Sequence, residues 1–170
     1  MSTAAHATAL SMDRDAAHWE AVEEAVELLH EERYREALEV LREILKADPR
    51  NAYAFFFLGQ AFYEVGEMEP ARDAYRACLT LAPQHLGARI AICHVERKLG
   101  RHREAIKEGM IATEQAPTDG DALYAVGLAY AARGDNSAAR RYLEAYLKAQ
   151  PELETRLEVE ALLANMDPTN

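Results

Sequence analysis

Cysteines, basic residues in surplus and long apolar runs are all scarce in this chain of 170 residues, and each scarcity removes a class of protein. Only two cysteines occur, Cys78 and Cys93, in no CxxC pair. They are too few for a disulfide framework and point to a reducing compartment. Lys and Arg number 19 against 29 Asp and Glu, a formal net charge of −10. That sign opposes the counterion release by which proteins hold nucleic acid, so a nucleic-acid partner is not expected. No window approaches about 18 uninterrupted apolar residues, so no membrane insertion by a helical span is expected. The first ten residues, MSTAAHATAL, have neither a basic stretch nor a continuous apolar core. No secretory signal is expected there, and the expected location is cytoplasmic.

The marks of catalysis are missing as well. His30-Glu31 begins like an HExxH zinc motif, but residue 34 is Tyr, so the second ligand is absent. There is no GxSxG, no P-loop and no GxGxxG. The histidines, at positions 6, 18, 30, 85, 94 and 102, fall in no ligand spacing with one another or with the cysteines. The many glutamates alternate with Arg and Lys as helix-solvating pairs rather than as an acid and base. The expectation is a chain that is not an enzyme, with no metal and no cofactor. Both cysteines read as small packing residues.

What is present is a period. Pro49, Pro83, Pro117 and Pro151 stand 34 residues apart, each closing a stretch of helical composition. Gly66, Gly100 and Gly134 share that spacing and break each segment a second time. Four units follow, 18–51, 52–85, 86–119 and 120–153, each a helix, a tight turn, a second helix and a proline. The second unit reads Phe55-x2-Leu58-Gly59-x2-Phe62, Ala71-x3-Tyr75, Pro83. The fourth reads Leu123-x2-Val126-Gly127-x2-Tyr130, Ala139-x3-Leu143, Pro151. These units resemble the tetratricopeptide repeat. The resemblance implies an all-α, right-handed α-solenoid of stacked helix-turn-helix repeats.

The residue types have a physical rationale of their own. Small residues recur where paired helices approach most closely: Ala25, Gly59, Cys93 and Gly127 on the first helices, Ala37, Ala71, Ala105 and Ala139 on the second. No unit can bury its apolar face alone, so the four must stack. Residues 152–165 read as a capping helix with Leu153, Leu157 and Ala161 in line, followed by a tail, 166–170. Residues 1–17 read as a flexible arm and lead-in, without periodicity to residue 12, with Asp13 or Asp15 starting the first helix. The third unit is irregular, carrying Arg89, Glu96 and Gly109 where large apolar residues are usual; Gly109 is expected to leave a gap unless Met110 fills it.

One helix is apolar nearly all the way round, AYAFFFLGQAFY from Ala52 to Tyr63. Phe55, Leu58, Gly59 and Phe62 make its packing face, leaving Tyr53, Phe56, Gln60 and Tyr63 on a second face with Phe57 beside it. The resemblance implies that this second face lines a concave groove. The same positions in other units add Trp19, Val22, Val26 and Leu29, then Ile90, His94 and Arg97, then Tyr124, Leu128 and Ala131. An apolar strip of this extent marks a partner site. The competing expectation is that these side chains pack between first helices or under the N-terminal arm. A basic cluster, Arg97, Lys98, Arg101, His102, Arg103 and Lys107, edges the strip and suits an acidic flank of the partner. Some family members hold the C-terminal carboxylate of heat-shock chaperones with a clamp of Lys, Asn and Arg side chains. The matching positions here are Val22, Val26, Phe57, Gly87 and Ala91, so that ligand is not carried over.

The expected function is a non-catalytic adaptor or scaffold that takes a protein or peptide segment by its apolar anchors. The alternatives are a secretion chaperone, since the size and apolar strip are similar to type III translocator chaperones, and a homo-oligomer assembled through residues 1–12 or 53–63. Those chaperones have three repeats and an extra N-terminal helix, against four regular repeats here.

Overall fold

A computed structural model describes residues 3–166, with side chains from Met12 onward. Among the described residues there are ten helices and no strand: α1 (Thr3–Glu20), α2 (Glu23–His30), α3 (Tyr34–Ala47), α4 (Ala52–Glu64), α5 (Met68–Leu81), α6 (Leu86–Lys98), α7 (His102–Gln115), α8 (Gly120–Arg133), α9 (Asn136–Lys148) and α10 (Leu153–Asn165). They fall into two compact units, Met1–Pro83 and Gln84–Asn170.

Helix boundaries follow a punctuation that repeats every 34 residues. The first helix of each pair, α2, α4, α6 and α8, stops at a residue in the left-handed region: Glu32, Gly66, Gly100 and Gly134, at φ 59°, 83°, 75° and 85°. The next amides, of Arg33, Glu67, Arg101 and Asp135, donate to the carbonyls of Leu28, Phe62, Glu96 and Tyr130 at 2.9, 2.9, 2.8 and 3.0 Å. The left-handed residues' own amides donate to the carbonyls of Leu29, Tyr63, Arg97 and Ala131 at 3.1, 3.1, 3.0 and 2.9 Å; the two bonds together close a Schellman motif at each end, and a second helix begins directly after it. Glycine takes that conformation without steric cost; Glu32 takes it with strain. Three of these four helices also start alike, α2 having no side-chain cap. Side chains of Asn51, His85 and Asp119 accept from the amides of Ala54, Ala88 and Ala122 at 3.0, 3.1 and 2.9 Å, capping α4, α6 and α8.

In the first unit, Ala25, Leu28, Ala37, Leu38, Leu41, Ala54 and Leu58 form one core. Tyr75 of α5 lies directly on the backbone of α4: a Cβ on Gly59 would come within 2.6 Å of its ring. In the second unit Cys93, Ala105, Ile106, Val126, Tyr130 and Ala139 pack together, and Leu143 closes on Gly127 in the same way, at 2.7 Å from where a Cβ would stand. All the small residues picked out by the period are buried. Burying each large aliphatic side chain contributes ~1.5–3 kcal/mol, which the close helix approach makes available.

Three expectations are corrected. The stretch read as a flexible arm is helical from Thr3, and Asp13 and Asp15 lie inside α1 rather than starting a helix. Six alanines between positions 4 and 17 favour helix without any apolar period. The helix breaks at residues 21–22, so the first helix of the first pair is the short α2. In α10 the buried stripe is Val159 and Leu163, while Leu153 and Leu157 are exposed; the Arg140 guanidinium donates to the Leu163 carbonyl at 3.0 Å and holds that orientation. Third, Gly109 leaves no gap. A Cβ there would meet the Val126 Cβ at 2.8 Å and its Cα at 3.0 Å, so α7 and α8 touch at this glycine. The other irregular residues of that repeat are paired: Arg89 Nη1 bonds Glu108 at 2.8 Å across α6 and α7, and fully buried Glu96 faces Arg101 at 3.6 Å. Residues 1–2 and 167–170, parts of the expected arm and tail, lie outside the described residues.

Candidate functional site

The residues expected to face a partner lie in two groups, one in each unit. In the first unit, Tyr53, Phe56, Phe57, Gln60 and Tyr63 run along α4, each half-buried. Phe56 meets Phe57 edge-on at 5.2 Å between centroids and leans on the ring of Tyr75 at 5.8 Å. Val26, on α2, packs against the core. Val22 is corrected: it is 0% exposed, because the break after α1 turns it inward as the residue preceding α2. Leu29 is also buried.

The end of α1 lies on the N-terminal part of this α4 strip. Trp19 stands edge-on to Tyr53 at 5.4 Å and tilted on Phe57 at 6.0 Å. The Tyr53 hydroxyl donates to the Asp15 carboxylate, 3.1 Å from Oδ1 and 3.2 Å from Oδ2. Burial and then that carboxylate raise the Tyr53 hydroxyl above its ordinary pKa. His18 Nε2 pairs with Asp48 Oδ2 at 2.8 Å, and Asn51 Nδ2 donates to the His18 carbonyl at 2.8 Å. Packing under the N-terminal segment therefore describes Tyr53 and Phe57. The sequence reading missed Asp15, His18, Asp48 and Asn51 as members of this cluster; only the alanine-rich composition of residues 3–17 signalled a helix there.

In the second unit, Ile90 and His94 lie on α6 and Tyr124 and Leu128 on α8. Ile90 packs beside the Val126 and Tyr130 core, Leu128 beside Leu143 and Val159. The His94 ring stands 6.2 Å from Tyr124, which stands 5.0 Å from Tyr146. Burial, then the charges of Arg97 and Lys98, push the His94 imidazole down to about 4, so it is neutral at pH 7. Arg97 is half-buried, and its Nε has no hydrogen-bond partner among the described residues. Lys98, Arg101, Arg103 and Lys107 are exposed beside it.

These groups offer ring edges and apolar side chains, with exposed cations beside those of the second unit. Burial pushes the Cys78 and Cys93 thiols up to about 12, which keeps them from acting as nucleophiles. No His, Cys, Asp and Glu cluster that could hold a metal occurs among the described residues. No described helix is long and apolar enough to cross a membrane.

The sequence matches the profile of a family described as tetratricopeptide repeat over residues 22–85 and 92–154. No curated protein matches it. Solved structures do. The 41-to-end segment of MamA from Desulfovibrio magneticus RS-1 superposes with a TM-score of 0.76 at 21% identity, covering 91% of this chain and 84% of that one. YrrB, a TPR protein with an unusual peptide-binding site, gives 0.73 at 24% identity, covering 90% and 78%. The first TPR of Spaghetti (RPAP3), bound to the HSP90 peptide SRMEEVD, gives 0.65 at 17% identity, covering 69% and 93%. The likeness at these identities is one of fold, the all-α tetratricopeptide solenoid.

Proposed function

The chain belongs to the tetratricopeptide repeat family, and from that premise we propose that it is a non-catalytic, cytoplasmic adaptor or scaffold that binds a protein segment. The observation that carries this reading is the aromatic strip of α4. A helix packed on one side needs a single apolar face, yet α4 carries four further half-buried rings beside its core face: Phe56 and Tyr63, and Tyr53 and Phe57 under the end of α1. Such rings are the side chains that dominate interface energetics, each good anchor contributing ~2 kcal/mol or more. Taken by itself, the second unit offers a further apolar surface at Ile90, His94, Tyr124 and Leu128, and the cations of Arg97 and Lys98 beside it suit an acidic stretch of a peptide bound there. The peptide sites named for YrrB and for the first TPR of RPAP3 support the same use of the fold. The clamp positions, occupied by Val22, Val26, Phe57, Gly87 and Ala91, argue against a C-terminal carboxylate as the anchor.

The test is affinity purification of the intact protein from its own cells, followed by binding measurements on the partner recovered. Phe56→Ala and Tyr63→Ala are each expected to weaken that binding by about tenfold or more with helicity and melting temperature retained. Unchanged binding in both folded variants overturns the reading. A secretion chaperone would instead keep a co-expressed membrane-active substrate soluble, and self-assembly would raise the mass with concentration.

A further inference from the structure

The contacts between α1 and α4 form a more complete recognition site than a chance crossing of two helices requires. Four separate groups of the first unit receive the end of α1. The Tyr53 hydroxyl binds the Asp15 carboxylate. The rings of Tyr53 and Phe57 hold the Trp19 indole. Asp48 takes the His18 imidazole, and the Asn51 amide donates to the His18 carbonyl, one of the carbonyls that a helix end leaves without an intrahelical donor. Asp15 and Trp19 are i and i+4 on α1, so carboxylate and indole stand one above the other on the same helix face. Among the described side chains of α1, those from Met12 through Ala17 are exposed, and Trp19 itself is 44% exposed.

Asn51 is the pivotal residue of the receiving surface. Its side-chain oxygen caps α4 by accepting from the Ala54 amide, while its nitrogen reaches α1. The matching caps at the other two starts, His85 and Asp119, accept from their helix in the same way. A cap needs only an acceptor, so the amide donor at Asn51 is surplus to α4's own requirement.

We propose that the Asn51–Phe57 face of α4 is a docking site for an amphipathic helix that carries a carboxylate and an aromatic ring one turn apart, and that α1 is its built-in occupant, displaced when a partner helix of that chemistry binds. This rests on the adaptor reading and names the class of segment that the α4 strip takes. Because α1 joins α2 through only residues 21–22, it competes at an effective concentration on the order of millimolar. A free helix of equal affinity is therefore kept off until α1 is loosened.

The intact chain supplies its own reporter, since Trp19 is its single tryptophan. Asn51→Asp keeps an acceptor for the cap and removes the donor to α1; Tyr53→Phe removes the bond to Asp15. Both are expected to shift Trp19 emission to the red, toward that of a free peptide of residues 3–20, with the helical signal of the repeats retained. A fluorescein-labelled peptide of residues 3–20 is expected to leave the unaltered chain unbound below about 100 μM, to bind the Trp19→Ala chain at least about tenfold more tightly, and to lose that gain when Phe57→Ala is added. Unshifted emission in both variants overturns the proposal, as does a peptide that ignores the Trp19→Ala chain or binds regardless of Phe57. Emission that changes with protein concentration also overturns it, by placing α1 on a second copy. No natural partner enters these measurements, so their failure is distinguishable from failure of the Phe56 and Tyr63 scan.

Discussion

Gly109 shows how far a single missing side chain reaches. Glycine inside a helix costs ~1 kcal/mol against alanine, so propensity alone favours Gly109→Ala. Packing opposes it, because the new Cβ would stand 2.8 Å from the Val126 Cβ and 3.0 Å from its Cα, and a backbone atom cannot turn aside as a side chain can. Overpacking of this kind costs ~1–3 kcal/mol, which offsets the propensity gain at least in full. Gly109→Ala is therefore expected to lower the urea midpoint, through a net loss of up to about 2 kcal/mol, with the slope unchanged; a rise in the midpoint would contradict the close approach of α7 and α8. Residue type alone made this position look like a void. Whether a glycine leaves space or admits a neighbour depends on an atom 17 residues away in sequence, and no local pattern records it.

At the scale of the helix, α6 carries a pH dependence. His94 is held near 4 in the folded protein, against ~6.5 for an unperturbed histidine. Between those values the unfolded chain binds the proton and the folded chain does not, so stability rises with pH across the window. It is lost progressively as pH falls from about 6.5 toward 4, by up to roughly 3 kcal/mol. His94→Gln is expected to flatten this slope in urea midpoints measured from pH 4 to pH 7; an unaltered slope would assign the dependence to other groups. The existence of α2 to α10 was legible from period and punctuation, whereas the sides they bury were legible less evenly. In α10, leucines at i and i+4 looked like the packing stripe, yet Val159 and Leu163 are the buried pair. Glutamates flank both stripes, so polarity along that helix does not choose between them. The bond from Arg140 to the Leu163 carbonyl fixes the chosen orientation.

For the molecule as a whole, the formal charge of −10 and a pI near 5.1 set its behaviour toward polyanions. The basic residues from Arg97 to Lys107 are interleaved with Glu104 and flanked by Glu96 and Glu108, so they amount to a local edge rather than a phosphate-tracking face. No saturable binding to duplex DNA is expected in anisotropy titrations at about 0.15 M salt. Tight binding that weakens steeply with added salt would refute that. The same interleaving leaves room for a short acidic peptide flank, which needs only one or two cations.

The repeat itself was determined by the sequence alone. Prolines, left-handed glycines and capping side chains act within a turn of where they stand, so their 34-residue recurrence is enough to specify successive helix pairs and the family they belong to. What covers each helix was decided only by the tertiary structure. Asp15 meets Tyr53 and His18 meets Asn51 across separations of 38 and 33 residues, and the Val126 side chain meets the Gly109 backbone across two helices. Such contacts are chosen by which surfaces exclude the most water and satisfy the most donors once the helices meet. That choice put α1 on an aromatic strip whose composition had announced only that something should cover it.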